Sequence, residues 1–192
     1  MIELPRFIPP AAALAVAAQG AWIIWRHYDV LRPYTRPGCA GCVRRSLGLI
    51  VEAFRSPARQ RGYWDGYRDE LRAHYPGLTD PRLYHLATRW VAPPDVAPHC
   101  TGGAVDLTLC DTDGIELDLG SPLDATPEQS SGGCFTAAQV PREAAANRAI
   151  LVTAMTNAGL VNYPTEWWHW SYGERYWAFT TGAPHALFGP VE

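Results

Sequence analysis

Between Val105 and Leu119 two short alternating stretches flank a turn, and no other feature limits the folding choices of this chain more. Val105, Leu107 and Leu109 alternate with Asp106 and Thr108, and after Asp113-Gly114 the residues Ile115, Leu117 and Leu119 alternate again. Alternation of period two makes a strand with one apolar and one polar face, so Asp106 points away from the apolar side. Asp-Gly between two such stretches predicts an antiparallel hairpin. Hairpin connections mixed with helices favour an α+β fold over a doubly wound parallel sheet.

The helical text surrounds this hairpin. Leu47 to Phe54 is an apolar run of strand length, and Ser56-Pro57 then reads as a helix cap followed by a first-turn proline. Tyr63, Tyr67 and Leu71 recur at helical spacing until Pro76-Gly77 stops them. Asp80-Pro81 starts a second helix, in which Leu83, Leu86, Ala87 and Trp90 share a face up to Pro93-Pro94. Pro141 opens a third, containing Ile150, Leu151, Ala154, Met155 and Ala158 and closed by Gly159. Aromatic, strand-like text from Tyr163 to Phe179 completes the expected architecture: one α+β domain over residues 47–192, with a central antiparallel sheet flanked by helices.

Residues 1–46 stand apart as a divergent segment. The apolar run 11–25 falls short of the roughly 20 residues that span a bilayer and carries no signal-peptide pattern. It is expected to pack as a helix, with export or membrane attachment as the alternatives, before a Pro/Gly/Cys linker from Tyr34 to Cys42.

Sixteen basic and nineteen acidic residues leave a formal charge of −3, which argues against nucleic acid as the partner. All sixteen basic residues are arginines. Without lysine there is no Schiff base, no Ser-Lys dyad and no P-loop lysine. Five cysteines at irregular spacings do not form a disulfide framework; Cys39 and Cys42 are the one motif-like pair, half a zinc site or a redox pair at most, and more simply ordinary thiols.

Among six histidines, His27, His74, His85 and His185 lack an obvious polar partner nearby. His99 precedes Asp106 by seven residues, and His169 ends the run Glu166-Trp167-Trp168-His169. Two histidines and an aspartate make a three-ligand set that leaves the fourth position of tetrahedral zinc open, with Glu166 as the neighbouring base. Spacing alone does not single this set out. A regular strand also puts residues 166 and 169 on opposite faces, so a bend is required.

Four segments in order carry a resemblance that covers roughly residues 47–180. Pro98-His99-Cys100-Thr101-Gly102-Gly103-Ala104-Val105-Asp106 resembles the Ser-X-His-X-X-Gly-X-Ala-X-Asp motif of the M15 zinc D,D-peptidases. Glu166-Trp167-Trp168-His169 is similar to their Glu-X-X-His motif, in the form typical of D-alanyl-D-alanine dipeptidases (the VanX type). Asp118-Leu119-Gly120-Ser121-Pro122-Leu123-Asp124 and Val51-Glu52-Ala53-Phe54-Arg55 are similar to two further segments of that family.

The resemblance implies the hedgehog-like zinc-peptidase fold and one zinc ion per chain, held by His99, Asp106 and His169. It implies Glu166 as the general base, Arg55 as the oxyanion stabiliser and Asp124 as the partner of a dipeptide's ammonium group. Read without it, the alternatives are a surface ion-pair partner for Arg55 and a turn or helix-capping residue for Asp124. Ala97 stands where the motif has serine, and Glu52 where its arginine segment has aspartate. The implied activity is hydrolysis of D-Ala-D-Ala or a close relative, in the cytoplasm and without a membrane. The alternatives are a peptidoglycan D,D- or L,D-carboxypeptidase or endopeptidase, and a non-catalytic zinc- or peptide-binding module. Nothing in the sequence sets an oligomeric state.

Overall fold

A computed structural model describes residues 47–111 and 113–191, so the expectations for residues 1–46 lie outside the described residues. Four strands form one antiparallel sheet in the order β1-β2-β4-β3: β1 Leu47–Glu52, β2 Ala104–Cys110, β3 Val161–Asn162 and β4 His169–Ser171. Among the described residues four helices accompany it: α1 Pro57–His74, α2 Asp80–Ala87, α3 Arg142–Asn157 and α4 Arg175–Thr181. This is an α+β domain, as the alternating and helical text requires.

β2 is the central strand, and all seven of its residues are buried. Its alternation still sorts the two faces. Val105, Leu107 and Leu109 enter a core with Leu151 and Met155 of α3 and with Trp167, Trp168 and Trp170, while Asp106 faces the histidines. Gly103, just before β2, has no room for a side chain: a Cβ there would lie 2.7 Å from the Tyr172 carbonyl oxygen. β1 pairs with β2 from Cys110 back to Asp106 and shifts register between Ile50 and Glu52, so the expected strand ends two residues early and the chain turns toward α1.

Ser56 caps α1 as expected, its Oγ accepting from the Arg59 N–H at 3.3 Å. The buried face of α1 is Gln60, Trp64 and Leu71, not a stripe led by Tyr63. Tyr63 is instead 42% exposed, with the Arg55 guanidinium over its ring at 4.9 Å. α2 ends at Ala87, three residues before Trp90, and Trp90 nevertheless packs on the cluster of Trp64, Leu71, Leu83, Ala87 and Val91. α3 buries Ala144, Arg148, Leu151, Ala154 and Met155.

Two expected strands are corrected. Ile115 to Leu119 makes a single bridge, Cys110 with Glu116, rather than a ladder. Asp111 closes that turn by accepting from the Asp113 and Ile115 N–H groups, both at 2.9 Å. The chain then leaves the sheet at Leu119, whose carbonyl is taken by Arg148. Within Tyr163–Phe179 only His169–Ser171 is strand. Glu174 caps α4 by accepting from the Tyr176 and Trp177 N–H groups at 2.7 and 2.6 Å, so Tyr176, Trp177 and Phe179 are helical, and Tyr163 to Trp168 forms turns. Among the described residues no helix is long and apolar enough to cross a membrane.

Candidate active site

Three elements bring His99, Asp106 and His169 together. His99 lies in a single helical turn, Pro98–Thr101, ended by Gly102 at φ 69°. Asp106 is the third residue of β2, and the strand register sets His169, the first residue of β4, directly opposite it. The His99 Nε2 is 3.1 Å from one Asp106 oxygen, the His169 Nδ1 is 3.0 Å from the other, and the two nitrogens are 3.2 Å apart. All three side chains are more than nine-tenths buried.

The donor set suits a metal ion. The His99 Nδ1 is 2.7 Å from the Ala53 carbonyl oxygen, which can only accept, so Nδ1 carries the proton and Nε2 presents a lone pair. The His169 Nε2 is 3.3 Å from the Ser171 Oγ, which leaves Nδ1 directed at the same point. With metal–ligand bonds of about 2.0–2.1 Å, tetrahedral neighbours lie roughly 3.3 Å apart, close to the spacing of these atoms. No other group of three or more such ligands occurs among the described residues. Burial raises the Asp106 pKa, but the charge of His99 and hydrogen bonds from both histidines outweigh it and hold the carboxylate well below its ordinary range. For His169 burial favours the neutral ring, yet Asp106 and Glu166 raise its pKa.

The bend between Glu166 and His169 is a pair of tight turns. The Glu166 N–H donates to Tyr163, the His169 N–H to Glu166, and the Tyr163 N–H back to His169, at 2.9, 3.3 and 3.1 Å. Asn162 pins the bend, its amide donating to the carbonyls of Glu166 and His169, both at 3.0 Å. The Glu166 carboxylate consequently comes 3.8 Å from the His169 Nδ1. Burial pushes its pKa up, against the pull of the histidines.

Arg55 arrives from the segment between β1 and α1, its N–H bonded to the His99 carbonyl at 3.1 Å. Its guanidinium pairs with Glu52 and donates to the Gln60 Oε1 at 2.8 Å, and the Gln60 amide donates to the Ala92 carbonyl at 2.7 Å. Despite burial, the Arg55 hydrogen bond and charge lower the Glu52 pKa. Asp124, at φ 60°, has no hydrogen-bond partner among the described residues. Partial enclosure, then the charges of Asp106 and Glu52, raise its pKa. All six expected site residues line one cavity of about 520 Å³, together with Glu52, Gln60, Tyr63, Ala97, Tyr163 and Tyr176. Gln60 was not legible as a site residue; its one trace is a polar side chain four positions before Trp64 on an otherwise apolar face.

The M15 peptidase family model, described as D-ala-D-ala dipeptidase, matches residues 79–182. The chain belongs to this family. The matched M15 region contains His99, Asp106, Asp124, Glu166 and His169, while Arg55 lies upstream of it. The chain is 31% identical to a D-alanyl-D-alanine dipeptidase of Synechocystis sp., over 57% of this chain and 52% of that protein. It is 41% identical to one of Escherichia coli over 37% and 35%, and 29% identical to one of Streptomyces coelicolor over 58% and 61%. It thus spans from about a third to three-fifths of the length of these M15 relatives.

Proposed function

We propose that this protein is a zinc-dependent dipeptidase that hydrolyses D-Ala-D-Ala or a closely related D,D-dipeptide. The observation that carries the reading is the convergence on one cavity of three buried metal-ligand side chains, a carboxylate of raised pKa and a second carboxylate without a hydrogen-bond partner among the described residues. His99, Asp106 and His169 hold the metal. When bound, zinc supplies a lowered pKa for a coordinated water and polarises the scissile carbonyl.

The remaining chemistry belongs to the chain. Glu166 takes a proton from the attacking water and returns it to the leaving amine, a task that a raised carboxyl pKa suits. Arg55, braced by Glu52 and Gln60, meets the negative charge that develops on the carbonyl oxygen. Asp124 pairs with the substrate ammonium, and a carboxylate at that end disfavours longer acyl chains. A cytoplasmic setting agrees with the buried Cys100 and Cys134 thiols.

Amine release from D-Ala-D-Ala by the purified protein tests this. We expect turnover that a chelator abolishes and zinc restores, and that Glu166→Gln lowers about 10²–10⁴-fold without loss of bound zinc. Turnover indifferent to the chelator, or no turnover by zinc-loaded protein, refutes the reading.

A further inference from the structure

Arg148 is a buried guanidinium with no carboxylate against it among the described residues. Four of its contacts are instead backbone carbonyls: Nε donates to Leu119 at 2.6 Å, Nη1 to Phe135 at 2.7 Å and more distantly to Thr136 at 3.5 Å, and Nη2 to Gly133 at 2.5 Å. Burying a cation is costly unless its N–H groups are satisfied, and these carbonyls satisfy them. The acceptors are the two stems of the loop that carries Asp124. One guanidinium therefore closes that loop at both ends.

The same group reaches the other half of the site. Its carbon lies 5.7 Å from the centre of the Trp167 ring, and Trp167 sits between Glu166 and His169 in sequence. The Trp167 indole N–H donates to the Ser121 Oγ at 2.9 Å and its backbone N–H to the Cys134 carbonyl at 3.0 Å. The Thr136 N–H donates to Pro164 at 3.0 Å. Asn147, on the same helix as Arg148, adds a bond to the Asp118 carbonyl at 2.8 Å. α3 thus fastens the Asp124 loop against the turn that bears Glu166.

We infer that Arg148 is a positioning residue for substrate selection, holding Asp124 at a set distance from the Glu166–His169 turn and so setting the substrate length the site accepts. The inference rests on the reading of Asp124 as the ammonium partner. Arg148 touches no reacting atom and acts through the loop alone. A lysine in its place offers a point charge that cannot hold both stems in the geometry of the planar fork.

The test is Arg148→Lys beside Arg148→Gln in the full-length, zinc-loaded protein, read by amide hydrogen exchange and by kinetics on D-Ala-D-Ala and its N-acetyl form. We expect exchange to accelerate tenfold or more within residues 118–136 while β2 and α1 keep their protection. The preference in kcat/KM for the free amine should fall at least tenfold, chiefly through KM, with Arg148→Lys intermediate. Uniform acceleration across the domain overturns the inference, since Arg148 is then merely structural. A loosened loop with unchanged preference overturns it equally. If the wild-type protein cleaves no dipeptide, the proposed function fails, and the loop's exchange relative to the rest of the domain alone decides whether Arg148 fastens it.

Discussion

Asp124 combines two costs that a turn residue would not need: a left-handed backbone at φ 60° and a carboxylate whose pKa burial and two neighbouring carboxylates raise. Over the window between the ordinary and the raised value, the folded chain binds more protons than the unfolded one. Stability therefore falls as pH rises through that window. Asparagine tolerates the same backbone and cannot ionise. In metal-free protein we expect Asp124→Asn to melt above wild type at neutral pH, the difference vanishing as pH drops toward about 3, where both forms of the aspartate are protonated. The same variant should lower kcat/KM for a free-amine dipeptide roughly 30-fold or more, as loss of a buried charge partner does. Thermal melts across pH and kinetics on free-amine and amine-blocked dipeptides check the two halves.

At the scale of elements, the first turn of α1 serves the site as much as the fold. Ser56 starts the helix, and one turn later Gln60 is fully buried between the Arg55 guanidinium and the Ala92 carbonyl. A hydrogen bond to a charged group contributes about 1.5–3 kcal/mol. We expect Gln60→Leu to lower kcat by about 10- to 100-fold with bound zinc unchanged, because only the orientation of Arg55 is lost; zinc analysis beside steady-state kinetics decides it. A variant that loses zinc as well would place Gln60 in support of His99 instead. The helix boundaries around this site were readable from Ser56-Pro57 and Asp80-Pro81. The face of α1 was not, because Tyr63 and Trp64 are both aromatic and only the packing of α1 on α2 decides that Trp64 is the buried one.

For the whole molecule, the cavity opens between two packed bodies: the sheet with α3, and the pair α1 and α2. Two ligands of the triad, Asp106 and His169, stand on the sheet, and His99 comes from the turn before β2, tied to Ala53 and Arg55 at the junction. A ligand that binds only the folded state stabilises by about 2.7 kcal/mol at 100 times its dissociation constant. For a domain of this size we expect zinc reloading to raise Tm by about 5–10 °C over stripped protein. The gain should shrink on acidification, because protons compete for His169, whose pKa Asp106 and Glu166 raise. A Tm indifferent to zinc would disprove the metal site.

The residue types and their local order determined much by themselves: an α+β chain, helix starts at Ser56-Pro57 and Asp80-Pro81, an apolar and a polar face on β2, and a short set of candidate chemical groups. These are local properties, set by backbone preference and by periodicity over a few residues. Tertiary structure decided what lies far apart in the chain. Pairing of Asp106 with His169 depends on strand register, and the approach of Glu166 to His169 on a turn held by Asn162. Where the chain leaves the sheet, the Leu119 carbonyl is taken by Arg148, 29 residues away. Such contacts form only when the hydrophobic core closes, and no short stretch of sequence carries them.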